Sequence, residues 1–180
     1  MSVPFYETEY DDTYEKSVYE EFGQEVAIVL TQGSQFNRTV KQILLEKVEK
    51  AQAEREALID TCDHEHESVT QAASVLEPIY NELRSYDSIP LDKQEFGALD
   101  AYRTRLQTMK DKCEQAAAAR QATINHHRTE YNLSVEIPDI CTYLYKTFET
   151  DYPVLFLCSE LTRKIKNYRH QVEHAMSTCP

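Results

Sequence analysis

From Val48 to Tyr86 one stripe of residues recurs in steps that alternate three and four without a slip: Val48, Ala51, Arg55, Leu58, Cys62, Glu65, Val69, Ala72, Leu76, Ile79, Leu83 and Tyr86. Phe36, Val40, Ile43 and Leu44 extend it backwards. A heptad seam sustained this long restricts the chain to a long helix whose stripe another helix must cover. Pro78 lies inside the pattern and removes one backbone donor, but the register continues past it, so a kink is expected and not a break.

The covering helix is in the same chain. After DSIPLDKQE, which reads as a turn, a second stripe runs through Leu99, Tyr102, Leu106, Met109, Cys113, Ala116, Arg120, Thr123 with Ile124, and His127. Folding the stripes back on each other pairs Tyr86 with Leu99, Leu83 with Tyr102, Ile79 with Leu106, Leu76 with Met109, and Ala72 with Cys113. The same register sets Glu65 against Arg120. A charge at a seam position is costly unless its partner sits opposite, so this pair reads as a polar layer that fixes the hairpin register. The alternative is that both side chains snorkel outward to water.

The remaining segments are shorter. Asp11, Asp12 and Thr13 offer caps for a helix ending near Gly23. An apolar helix over Val26 to Leu30 should end at Gly33, with Ser34 capping the long helix. Pro138 and Asp139 suit the first turn of a short helix from Ile140 to Phe148. Thr150 or Asp151 can cap a last helix with the stripe Val154, Cys158, Leu161, Ile165, Tyr168, Val172, Ala175. The chain has only 3 Gly in 180 residues, where average use would give roughly a dozen. That scarcity argues against a turn-rich β fold and against glycine-rich phosphate loops. The expected fold is all-α: a long antiparallel coiled-coil hairpin over 34–131 with its turn near 87–95, a C-terminal helical region over 138–176 packed near the open end, and short helices within 1–33 capping that end. The whole is read as one helical domain.

Charge and cysteine use narrow the function. With 31 acids against 19 bases the net charge is -12, which disfavours nucleic acid and anionic membrane surfaces. The most apolar run, Pro153 to Cys158 plus Leu161, is far below the ~20 residues a membrane span needs. No basic and apolar leader opens the chain. Five widely spaced cysteines, with no CxxC pair, fit reduced thiols in the cytoplasm better than a disulfide framework or a zinc ribbon.

Two candidate sites stand out. Within CDHEH, only Cys62 and His66 share a helix face, and the hairpin register brings His126 and His127 to within about one turn, so these four are the only metal candidates. Solvent-facing histidines beside a core cysteine explain the same residues, and no metal or other cofactor is expected. Arg163, Lys164, Lys166 and Arg169 in RKIKNYRH form a basic patch that could touch phosphate, although such residues normally enrich the C-terminal half of a helix. No catalytic constellation is visible: there is no G-x-S-x-G and no P-loop.

Several stretches carry a resemblance. VPFYETEYDDTY with EEFG, REALID with EHES, AARQAT, and CTYLYKTFETDYPVL follow in an order that resembles an uncharacterised, helix-rich haloarchaeal family known only as a domain of unknown function. The resemblance implies a cytoplasmic protein of a salt-accumulating archaeon and supplies no activity. It also implies a further helix ahead of VPFYETEY, which would leave a helix groove uncovered in this chain and open to a second copy. The resulting expectation is a non-enzymatic scaffold or protein-interaction module, partnered by another protein or by itself as a homodimer. The alternatives are a regulator that contacts DNA, or a DNA-bound partner, through the basic helix, and a metal or redox sensor built on Cys62 and the nearby histidines.

Overall fold

The computed structural model describes residues 11–32, 38–130 and 140–179. The expected roles of Gly33, Ser34, Pro138 and Asp139 at helix ends, and of Phe36 on the long stripe, lie outside the described residues. Those residues form six α-helices and one 3-10 turn, with no strand among them. The helices are α1 (Tyr14–Phe22), α2 (Gln24–Gln32), α3 (Arg38–Tyr86), α4 (Phe96–Glu130), α5 (Ile140–Tyr145) and α6 (Pro153–Thr178). The 3-10 turn spans Leu91–Lys93 within the predicted connection between α3 and α4. The fold is all-α, a long helix pair with a packed C-terminal helix. Contacts divide the chain into two compact units, residues 1–60 and 61–180, with the boundary inside α3.

In the first unit, Thr13 caps α1, its hydroxyl accepting from the Lys16 amide at 3.3 Å. Gly23 ends α1 at φ 83°, a conformation that favours glycine, and its N–H donates to the Tyr19 carbonyl at 2.9 Å. The helices gather beside α3 at a groove lined by Val18, Phe22, Leu30, Val48 and Ala51. Arg55, a charged break in the long stripe, forks onto Glu21 of α1 at 2.6 and 2.7 Å. The start of that stripe is not covered: Ile43 and Val48 are exposed.

The second unit holds the main core. Ala72, Leu76, Ile79, Leu83 and Tyr86 of α3 bury with Leu99, Leu106, Met109 and Cys113 of α4 and with Cys158, Leu161, Ile165 and Val172 of α6. Residues of all three stripes thus share one core. Arg105 of α4 forks onto Glu82 of α3, with Nε at 2.7 Å from the carboxylate, and Tyr86 meets Tyr102 edge to face with centroids 5.5 Å apart. Pro78 sits within an unbroken α3. The C-terminal helix reaches further than predicted. It starts beside Arg128, which donates to Tyr152 at 2.7 Å, and its far end meets the turn, where Tyr168 donates to Asp87 and Cys179 lies against the Gln94 carbonyl. It therefore covers α4 from the open end of the hairpin to the turn. Its N-cap is Tyr152 with Pro153 in the first turn, while the Thr150 hydroxyl accepts from the Tyr152 amide at 3.2 Å.

Candidate functional site

Glu65 on α3, Arg120 and His127 on α4, and Cys141 and Tyr145 on α5 converge in one buried cluster of the second unit. Heptad spacing brings this about: Arg120 and His127 lie one repeat apart on the inward stripe, and Cys141 and Tyr145, four apart, share a face of α5. Glu65 is 2% exposed, and Arg120 and His127 are each 3% exposed. The Arg120 guanidinium holds both oxygens of Glu65, with Nη1 donating to Oε2 at 2.7 Å and Nη2 to Oε1. Nη1 also donates to Ser68 Oγ at 3.1 Å, and Nη2 lies 3.5 Å from Cys141 Sγ. Tyr145 Oη donates to Glu65 Oε1 at 2.6 Å, and His127 Nδ1 lies 3.7 Å from Glu65 Oε2.

The electrostatics follow from burial. For Arg120, desolvation works against the charge, but the hydrogen bond and charge of Glu65 overcome it and hold its pKa above the usual value. Burial pushes the Tyr145 phenol up, and its bond to Glu65 adds to this, so it remains a neutral donor. Burial pushes His127 down. Arg120, His126 and His64 push it the same way, and only Glu65 opposes them. The cluster is thus one carboxylate neutralised by one guanidinium, with a neutral phenol and imidazole around them.

A groove of about 500 Å³ adjoins it, between α3 and α4. Ala72, Val75, Ile79, Met109 and Ala116 supply its apolar walls, while Ser68, Arg120 and Thr123 form one end and the Glu82–Arg105 pair the other. Arg120, Ser68 and Thr123 therefore belong to groove and cluster alike, and Ser68 Oγ donates to Thr123 Oγ1 at 3.4 Å. Lys112 also lines the groove.

The other residues singled out from the sequence fall elsewhere. Of the four metal candidates, His127 is in the cluster, its ring 6.3 Å from that of His126, while Cys62 is half-buried and His66 and His126 are exposed. Among the described residues no three His, Cys, Asp or Glu side chains are grouped as a metal site. In the basic patch, Arg163 pairs with Glu160 at 2.6 Å. Arg169 pairs with Glu173 at 2.8 Å and donates to Gln107 at 2.7 Å. Lys164 lies over the Tyr80 ring at 5.9 Å, and Lys166 is exposed. Cys113 and Cys158 are buried in the core, and desolvation pushes the Cys113 thiol up to about 11, away from nucleophilic reactivity.

Sequence reasoning missed Cys141, Tyr145 and Ser68. The first two sit on a six-residue helix, too short to carry a period. Ser68 lies one position off the stripe. Among the described residues no helix is long and apolar enough to cross a membrane. A family model described as Domain of unknown function (DUF7260) matches residues 1–169. No curated protein and no solved structure matches the chain.

Proposed function

We propose, for a chain that belongs to the DUF7260 family, a non-catalytic role: the groove between α3 and α4 receives the apolar face of a partner protein's amphipathic helix. One observation carries this reading. The groove is long, apolar and walled by small side chains, as helix-in-groove recognition requires. From Ser68 to Glu82 the α3 wall runs roughly 21 Å at 1.5 Å per residue, enough for about four turns of a bound helix. Ala72, Ala116 and Ala119 allow close backbone approach.

Charge selects the partner. Arg120 is neutralised by Glu65 and Arg105 by Glu82, which leaves Lys112 as the one lining charge with no ion partner among the described residues. The groove is therefore locally positive in a chain of net charge -12. A helix with acidic residues beside its apolar stripe complements it, and that complement acts on encounter and register more than on affinity.

The test uses designed 18-residue amphipathic peptides that share one apolar stripe and carry either glutamate or lysine flanks. The glutamate peptide should bind, and Val75→Glu or Ala119→Glu, both at exposed lining positions, should weaken it at least about tenfold, equivalent to 1.4 kcal/mol. Absence of binding, equal binding of both peptides, or binding untouched by either substitution would overturn the reading. A dimer in light scattering that Val75→Glu dissolves would place a second copy in the groove and remove a partner helix as its occupant.

A further inference from the structure

The cluster at the end of this groove holds a buried histidine. His127 is buried where one carboxylate already faces one guanidinium. Among the described residues, the charged and titratable groups that act on it are Glu65 and His64 from α3 and Arg120 and His126 from α4, while Cys141 and Tyr145 from α5 hold Arg120 and Glu65. A proton on His127 would place two cations against the single Glu65 in a water-poor site, and an uncompensated buried charge is strongly disfavoured. The cheapest relief is to admit water, and the smallest element covering the cluster is α5. That helix has six residues, with Ile140 and Cys141 buried and Tyr145 tied to Glu65 at 2.6 Å. Small elements with little buried apolar area open first. Arg120, Ser68 and Thr123 form the adjoining groove wall, so loss of the Tyr145 and Cys141 contacts frees the side chains that shape it.

We propose that α5 is an acid-released latch: docked while His127 is neutral, it holds the Arg120 end of the groove in shape, and protonation of His127 frees it. The direction is set by linkage. A histidine depressed in the docked state binds its proton more readily once α5 opens, so docking is undisturbed above the ordinary histidine pKa and weakens as pH falls through it.

Hydrogen exchange on the full chain reads this with no peptide present. Between about pH 6.5 and the depressed native value, the opening of α5 should rise up to about tenfold per pH unit, the limit for one linked proton. Protection factors at Ile165 and Val172 in α6 should stay level. His127→Gln should flatten the α5 profile, while His126→Gln, at an exposed position, should keep it. Flat α5 protection in the native chain, or a pH dependence that survives His127→Gln, would overturn the latch. Should His127→Gln not fold, the native imidazole resonance decides: a titration midpoint above about 6.5 overturns it. The consequence for binding rests on the groove reading. The glutamate peptide should bind more weakly at pH 5.5 than at 7.5 in native protein and equally in His127→Gln. Flat α5 protection with peptide binding intact would sink the latch alone.

Discussion

Replacing Arg120 by Met should destabilise the chain by about 3–5 kcal/mol, while the double variant Glu65→Leu/Arg120→Met should recover most of that loss. Arg120 gives Glu65 two of its donors in a site where Glu65 is 2% exposed. Without the guanidinium, Tyr145 is left as a single strong neutral donor to a buried carboxylate. The deficit is the penalty of an uncompensated charge, so removing that charge too should relieve it. Arg120→Lys should fall between the two, because one ammonium does not reproduce a fork that reaches both Glu65 oxygens and Ser68. Urea unfolding at pH 7 of the native chain, of Glu65→Leu and Arg120→Met singly, and of the double variant measures the coupling. An additive double variant would mean the two charges do not depend on each other.

Leu106→Ala should be the most damaging single truncation in the apolar core, at about 3–5 kcal/mol. Leu106 is 0% exposed, within the core shared with Ile79 of α3 and Ile165 of α6. Three helices meet there, so the walls of the resulting cavity are held from three sides and collapse little. Large residual cavities are what make Leu→Ala changes expensive. Ile59→Ala on α3, where the side chain is 60% exposed, should change stability by less than about 0.5 kcal/mol. Thermal unfolding of both variants checks the contrast. A similar loss for each would mean that the buried stripes do not carry the stability.

The hairpin was legible because its signal is periodic and redundant. Leu76, Ile79 and Leu83 on one stripe and Leu99, Leu106 and Met109 on the other repeat the same constraint many times, so the register that places Glu65 opposite Arg120 could be read from spacing. In the structure Arg120 meets Glu65, and both stripes contribute to one core. What was illegible depends on single contacts between segments of different length. Tyr145 reaches Glu65 across eighty positions from a helix of six residues. His127 reads in the sequence as the end of a stripe or a ligand, while the structure buries it beside Glu65. The groove was missed for a related reason. A two-stripe pairing describes which residues face each other but not how wide the helices stand. Here α6 packs tightly on α4, while the Ala72, Val75 and Ala116 side of the hairpin is left open.

The central claim is that the α3–α4 groove is where this chain meets its partner. A methyl-resonance map of the chain titrated with the glutamate-flanked peptide tests it most directly. The account predicts that the methyl groups of Val75, Ile79, Met109 and Ala116 shift together and saturate at one peptide per chain. Val18 and Ala51, at the groove of the first unit, should stay still. Shifts confined to Val18 and Ala51, or no saturable shift at Val75 and Ala116, would contradict it.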